Sequence, residues 1–287
     1  MSKTIRLGCP LNENLPRSKM GLIFHQHQLE SVRTCLVPKP MQFSFARLLS
    51  LYLLSLVLAA CSKPSVYVPA SDEGAVGSIS GRIIWGGPSP SAQIDRVYRD
   101  SELCGEDVPS DELVVSEVSR SIEGVIVSLE GITRGKPLPS LGSLVIENRG
   151  CRFLPPTFVT IMGATLEIQN LDPVMHYTHA RLDTRSGPTL WNVIQQAGAA
   201  GRSKVLDTIG LLDIRCDLHP NMKAFIQVLD HPYFDQTSFD GHFELRDVPP
   251  GSYTLNAWHP RFGPRSTPVN VPKTGGPITV DMLIQPR

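Results

Sequence analysis

The sequence predicts an all-β fold of antiparallel, Greek-key sheets. Its 287 residues include 25 Pro and 23 Gly, which favour many turns and short strands over long helices. Several segments alternate apolar and polar residues with a period of two, as half-buried strands do. The chain has neither a long heptad pattern nor a 20-residue apolar run. A hydrophobic content of 41% is enough to bury a core in one or two domains.

The first 60 residues have the properties of a leader. Residues 1–40 show no periodicity, and we expect the true start at Met41. Residues 41–60 then form a signal peptide, in which Arg47 precedes an apolar stretch too short to span a bilayer. We therefore predict an exported protein.

The signal peptide ends in Leu58-Ala59-Ala60-Cys61, which resembles a bacterial lipobox. The resemblance implies cleavage before Cys61, a lipid on its thiol and a periplasmic location. Ser62 favours the outer membrane by the same resemblance. The alternatives are a plain secretory signal and a signal anchor. Residues 61–76 are small and polar, as expected of a tether.

Export changes the charge of the protein. The whole chain is formally neutral, with 27 basic and 27 acidic residues. Residues 1–60 contain seven Lys or Arg and two Asp or Glu, so the mature chain keeps 20 basic and 25 acidic residues. This mildly acidic balance argues against nucleic acid as a partner, because nucleic acid requires a basic face.

Five stretches of the mature chain have strand patterns before the most informative motifs. They alternate or are rich in β-branched residues, and Gly or Pro bounds them. They are residues 77–85, 124–130, 144–147, 157–161 and 163–170. Residues 91–121 between the first two are charged and irregular.

Two later segments carry metal-binding side chains. Residues 210–222 read as a strand that ends in Cys216-Asp217-Leu218-His219-Pro220-Asn221-Met222, with a thiol, an imidazole and a thioether at steps of three residues. Asn170-Leu171-Asp172-Pro173-Val174-Met175-His176 supplies a second imidazole. Two His, one Cys and a weak axial Met are the ligands of a blue-copper site, whereas structural zinc prefers four Cys or His. The alternative is a buried free Cys, a surface His and a core Met.

These segments resemble the copper loops of the cupredoxins, and most closely those of amicyanin and its relatives. The similarity covers roughly residues 143–230, including a last strand at residues 223–228. It implies a Greek-key cupredoxin β-sandwich that binds one type 1 copper through the ligands His176, Cys216, His219 and Met222. It also implies that the edge of His219 is exposed in an apolar patch, where electrons enter.

The chain departs from the family at three places. Tyr177 follows the first His, where the family has an Asn that ties the two ligand loops together. Asp217 follows the Cys in place of Ser or Thr, and its carboxylate favours a lowered reduction potential. Residues 177–215 are longer than the family norm. His179 is the alternative to His176 as a ligand, and the spacing from Asn170 favours His176.

The end of the chain resembles a second family. The turn and strand patterns of residues 240–245 and 248–259 look like the carboxypeptidase regulatory-like, transthyretin-like β-sandwich. We expect this sandwich to be split into residues 77–135 and 231–287, with the cupredoxin domain inserted at residues 143–230. The alternative is a tandem arrangement in which residues 77–130 supply early cupredoxin strands.

Two cysteines of the mature chain have no other predicted role. Cys61 is the predicted lipid anchor and Cys216 a predicted ligand, so Cys104 and Cys151 remain in an oxidising compartment. We predict a disulfide between them, and two buried free thiols are the alternative.

Other features carry less information. Residues 191–194 favour a helical turn, in a segment that is either a docking loop or an ordinary surface loop. His231, His242 and His259 have no metal-binding spacing and are interpreted as surface or packing residues.

We therefore predict a membrane-tethered periplasmic copper protein that carries single electrons and exchanges them with a periplasmic cytochrome or dehydrogenase. The chain lacks the common hydrolase, metalloprotease and phosphate-loop motifs, so an enzyme is not expected. The alternatives are a structural or adhesive β-sandwich lipoprotein with a vestigial copper loop, and copper storage or delivery.

Overall fold

The computed structural model describes residues 67–70, 74–91, 93–110 and 113–286. The predicted leader, signal peptide and lipidation site at Cys61 lie outside these residues. The described part of the chain is almost entirely β-structure, which confirms the predicted fold class. None of its helices is long and apolar enough to cross a membrane.

The strands and the single short helix of the described residues are numbered in chain order. The first group is β1 Val68–Pro69, β2 Gly77–Trp85, β3 Ile94–Arg96, α1 Ser101–Cys104, β4 Asp107–Pro109, β5 Ile126–Glu130 and β6 Arg134–Gly135. The second is β7 Ser143–Asn148, β8 Phe153–Leu154, β9 Thr157–Ile161, β10 Thr165–Asn170, β11 His176–Leu182, β12 Thr189–Gln195, β13 Arg202–Val205, β14 Gly210–Cys216 and β15 Lys223–Leu229. The third is β16 Phe234–Gln236, β17 His242–Val248, β18 Gly251–His259, β19 Gly263–Val271, β20 Gly276–Thr279 and β21 Met282–Ile284.

The second group forms two sheets, with strand orders β13-β10-β7-β8 and β12-β11-β14-β15-β9. Alternate side chains of both sheets enter one buried apolar cluster. This cluster contains Cys216 and Met222, so the predicted ligand loop closes over the core of this sandwich. We call these two sheets the first sandwich.

The outer parts of the chain form two further sheets, ordered β16-β5-β18-β19 and β17-β2-β20, with β21 also paired to β2. Their side chains share a separate apolar cluster. We call them the second sandwich. Strands that precede and strands that follow the first sandwich therefore pair with one another, and residues 77–85 do not pair with residues 157–170 among the described strands. The predicted domain boundaries at 77–135, 143–230 and 231–287 remain a prediction.

The sheets are not purely antiparallel as expected. The strand pairs β7–β10, β9–β15, β2–β20 and β2–β21 are parallel. Each of these pairs joins strands that are not consecutive in the chain. Strands that cross between two sheets can enter beside a partner running in the same direction.

Two smaller expectations are wrong. Residues 191–194 lie within the strand β12 rather than a helical turn, because β12 pairs with β11 along its length. The predicted tether is not free along all of residues 61–76. The Tyr67 ring is buried in the second sandwich, and β1 pairs with β6.

Residues 94–110 pack on the first sandwich, although they fall within the range 77–135 that was expected to belong to the second. β3 and β4 form a hairpin, and α1 lies in its loop. Val97, Cys104 and Val108 are buried in the apolar cluster of the first sandwich, which also contains the predicted ligands Cys216 and Met222. We call residues 94–110 the cover.

Candidate metal centre

Strand register brings His176 and Cys216 together. β11 begins at His176, β14 ends at Cys216, and the two strands are antiparallel with Thr178 opposite Cys216. Side chains two residues apart in a strand point to the same face. The His176 imidazole therefore lies on the face of β11 that meets the Cys216 thiol.

The turn after β14 brings in the second imidazole. The Met222 N–H donates to the His219 carbonyl at 2.9 Å, and the Cys216 N–H donates to the Met222 carbonyl at 3.4 Å. These bonds fold the C-x-x-H-x-x-M segment back on itself. The side chains spaced three residues apart in the sequence are thereby gathered at the end of the strand.

Three donor atoms meet in the interior. The Cys216 Sγ lies 3.7 Å from Nδ1 of His176 and 3.6 Å from Nδ1 of His219. The three residues form a possible metal-ligand group whose donor atoms all lie within 4.8 Å of one another. Neither imidazole has exposed surface, and Cys216 is the one free cysteine of the described residues. Met222 is buried in the same apolar cluster.

A carboxylate holds the outer edge of each imidazole. Nε2 of His176 lies 2.9 Å from Oδ2 of Asp172, and Nε2 of His219 lies 2.9 Å from Oδ2 of Asp100. A carboxylate only accepts, so each Nε2 carries a proton. In the neutral ring the lone pair is then on Nδ1, the nitrogen that faces the sulfur.

The loop before His176 is braced by its own polar groups. Asp172 accepts hydrogen bonds from the N–H groups of Gly150 at 2.6 Å and Cys151 at 2.9 Å. The Asn170 side chain accepts from the Asp172 N–H at 3.1 Å and donates to the Val174 carbonyl at 2.8 Å. The His176 ring is therefore positioned by groups that are themselves fixed.

The centre stabilises separated charge when no metal is bound. Burial opposes charge on both Cys216 and His176, but the hydrogen bonds within the site outweigh it. Hydrogen bonding with His176 and His219 lowers the pKa of Cys216 to about 6. Bonds to Asp172 and Cys216 raise the pKa of His176 to about 9. Cys216 is therefore a thiolate at neutral pH, which is the form that binds metals.

His179, the alternative ligand, lies elsewhere. It is three residues after His176, so it points to the opposite face of β11. Its Nδ1 lies 2.9 Å from Oδ2 of Asp217 and its Nε2 lies 2.8 Å from Oγ1 of Thr189. Both ring nitrogens therefore have partners outside the group of three donors.

Backbone bonds join the two ligand loops at the positions where the sequence departs from the cupredoxin pattern. The Tyr177 N–H donates to the Cys216 Sγ at 3.4 Å, and the Asp217 N–H donates to the Tyr177 carbonyl at 3.2 Å. The Asp217 carboxylate is engaged by His179 and lies 3.9 Å from Arg181. A lowered reduction potential caused by Asp217 stays a prediction.

The expected exposure of His219 is wrong. The cover lies over its edge, and Asp100 occupies the Nε2 position that the cupredoxin resemblance leaves open. The cover is joined to the first sandwich by a disulfide between Cys104 and Cys151.

Sequence reasoning missed both carboxylates. Asp172 lies four residues before His176, but a strand and a loop give that spacing no fixed geometry. Asp100 lies in a charged segment without a motif. The predicted Cys104–Cys151 pair was the one signal that this segment approaches the ligands.

The donor set fits copper better than zinc. Thiolate and imidazole suit both metals, but a structural zinc site requires four Cys or His ligands. Among the described residues, the nearby Cys104 and Cys151 are already bonded to each other. A catalytic zinc site keeps a position open to water, whereas these donors are buried. Met222 is buried in the same apolar cluster as Cys216, and two His, one thiolate and a Met are the set that copper takes.

Comparisons with known proteins gave structural similarity only. No protein-family model matches the chain, and no curated protein does. Among solved structures, a reduced Cu(I) form of an amicyanin mutant is 19% identical with a TM-score of 0.28, over 32% of this chain and 86% of that one. A purple cupredoxin from Nitrosopumilus maritimus is 18% identical with a TM-score of 0.26, over 30% and 99%.

A Cu-containing nitrite reductase from Thermus scotoductus SA-01 is 20% identical with a TM-score of 0.27, over 36% of this chain. This chain spans 24% of the length of that enzyme. These structural neighbours are cupredoxins, and they cover about a third of this chain.

Proposed function

We propose that this chain is a type 1 copper protein that carries single electrons between redox partners. The observation that supports the proposal is the arrangement of His176, Cys216 and His219. Their donor atoms face one another in the interior, and carboxylates hold the outer nitrogens of both imidazoles. Copper held there by these three residues together with Met222 would supply exchange between Cu(I) and Cu(II).

The surrounding residues suit electron transfer better than catalysis. Asp172 and Asp100 fix the imidazoles, and backbone bonds join the two ligand loops. Ligands that cannot rearrange keep the barrier to electron transfer low. Burial excludes water and leaves no position for a substrate, which favours a carrier over an enzyme.

We further propose a periplasmic location with a lipid anchor at Cys61, in the outer membrane of a bacterium. The lipobox resemblance supports this, and the Cys104–Cys151 disulfide suits an oxidising compartment. The redox partner would be a periplasmic cytochrome or a dehydrogenase.

The test is a titration of the purified protein with Cu(II), followed by visible absorption and voltammetry, with Cys216→Ser as the comparison and Zn(II) as the spectroscopically silent control. We expect an intense thiolate-to-copper band in the wild type, its loss in Cys216→Ser, and a reversible one-electron wave. A band without a reversible wave, from copper that a chelator quickly removes, would favour storage or delivery. The absence of a band would refute the copper centre and leave a structural or adhesive lipoprotein.

A further inference from the structure

The cover is attached to the first sandwich at three kinds of contact. The disulfide joins Cys104 to Cys151. Val97 and Val108 bury their side chains in the cluster that also contains Cys216 and Met222. Lys223, the residue after Met222, forms an ion pair with Asp95 at 3.0 Å and donates to the Ser110 hydroxyl at 2.8 Å. The cover is therefore a packed part of the first sandwich.

These attachments converge on the metal centre. The sulfurs of Cys104 and Cys151 lie within 4.8 Å of a ring nitrogen of His219. The Asn221 side chain donates to the Cys151 carbonyl at 3.0 Å, which joins the ligand loop to the same anchor. Opening the cover would expose the His219 edge that Asp100 now contacts.

The backbone of Asp100 supports a positioning role. Asp100 has φ 55° and ψ 30°, in the left-handed region, and Cys151 has φ 53°. The left-handed region is unfavourable for residues other than Gly, although Asp tolerates it better than most. Such conformations persist where surrounding contacts determine them, and they cluster at functional sites. Here they occur at the residue that holds His219 and at the anchor of the cover.

We propose that the cover seals the metal centre, and that Asp100 is a positioning residue that keeps Nδ1 of His219 directed at Cys216. The ion pair and the disulfide hold the cover closed. This deepens the proposed function, and it rests on that function only where copper is concerned. A sealed centre would retain its metal, which favours a carrier over a delivery protein.

The first test needs no metal. The metal-free full-length protein is treated with N-ethylmaleimide, and Cys216 labelling is followed by mass spectrometry of the tryptic peptide Cys216–Lys223, which Arg215 and Lys223 delimit. The variants are Asp100→Ala and the double variant Cys104→Ser/Cys151→Ser. Asp107→Asn is the matched control, because its carboxylate is in the cover and makes no hydrogen bond or ion pair with the other described residues.

We expect labelling to become at least about tenfold faster in both variants, since local opening of the cover would admit the reagent. Asp107→Asn should stay within about twofold of the wild type. Circular dichroism verifies that each variant is folded. Wild-type labelling rates in both variants would overturn the proposed seal, whether or not the protein binds copper.

The second test uses the copper-loaded protein. It separates two effects of Asp100, its positioning of His219 and its negative charge. We expect Asp100→Ala to lose Cu(I) to the chelator bathocuproine about 10–100-fold faster, as for other residues that orient metal ligands. Asp100→Asn keeps an acceptor for Nε2, so it should restore most of the retention, yet raise the reduction potential by removing a negative charge. Unchanged release and potential in both variants would overturn the role of Asp100. A missing copper band in the wild type would instead refute the proposed function.

Discussion

The histidines of three His-Pro dipeptides make different contacts in the two sandwiches. In the second sandwich, Nδ1 of His231 accepts the Tyr233 N–H and Nδ1 of His259 accepts the Arg261 N–H, each at 3.2 Å. In the first sandwich, Nδ1 of His219 faces the Cys216 thiolate. The same dipeptide thus closes a local turn in one sandwich and places an imidazole in the candidate metal centre of the other.

The neighbours of each ring explain the difference. Among the described residues His259 has no acidic partner, and burial together with the Arg261 charge lowers its pKa to about 4. Burial also lowers the pKa of His231, despite the opposing charge of Asp230. His219 has a carboxylate on one nitrogen and a thiolate on the other. His219 is therefore a candidate for chemistry because its ring lies between a carboxylate and a thiolate. The rings of His231 and His259 bond to backbone groups and are packing residues.

The largest expected effect is the loss of Cu(II) affinity in His219→Ala, with His231→Ala as its comparison. His219→Ala should lower Cu(II) affinity more than about 100-fold, because losing a ligand should exceed the 10–100-fold cost of losing its support. His231→Ala removes the same side chain from a turn outside the centre, and we expect its affinity to stay within about twofold of the wild type. Competition titration against a Cu(II) chelator measures both. Equal losses would show that the distinction between the two turns is wrong.

The second effect concerns acid stability and His259. Its folded pKa of about 4 lies below the ordinary value of 6.5, so between these values the unfolded chain binds a proton that the folded chain does not. Stability is complete above about pH 6.5 and falls as pH drops toward 4, by about 3 kcal/mol from this residue.

His259→Asn keeps an acceptor for the Arg261 N–H and removes the titration. Urea unfolding at pH 7 and pH 4.5 should show a smaller acid-induced loss in His259→Asn than in the wild type. An identical loss in both proteins would mean that His259 is not held neutral.

The third effect tests the carboxylate behind the other ligand. Oδ1 of Asp172 accepts the Gly150 N–H, and Oδ2 accepts the Cys151 N–H and contacts His176. In Asp172→Asn one of these oxygens becomes an NH2 group that faces a donor. We expect a 10–100-fold loss of Cu(II) affinity, measured by the same competition titration. Asp235→Asn in the second sandwich serves as the control and should bind copper normally.

Much of this architecture could be predicted because strands leave a period-two pattern. The strand at residues 157–161 was predicted to the residue, and the fold class followed from several such patterns. The cover could not be predicted, because its attachment depends on a disulfide, two buried valines and an ion pair that connect distant parts of the chain. The exposed His219 expected from the resemblance was wrong for the same reason.

One feature of the site was within reach of the sequence. His179 could have been rejected as a ligand by the alternation of side chains along a strand, because residues 176 and 179 of one strand point to opposite faces. The Asn170 spacing favoured His176, but the face of β11 gives the stronger physical reason. The carboxylates of Asp100 and Asp172 have no such local rule.

The smallest expected effect therefore comes from His179→Ala. His179 contacts Asp217 and Thr189 on the face of β11 that is turned away from the three donors. Removing it should leave Cu(II) affinity within about threefold of the wild type, whereas His176→Ala should lower it more than about 100-fold. Asp217 would lose a partner next to the thiolate, so a small change in reduction potential is expected without a loss of metal. If His179→Ala lost copper as His176→Ala does, the face of β11 would not decide which imidazole is the ligand.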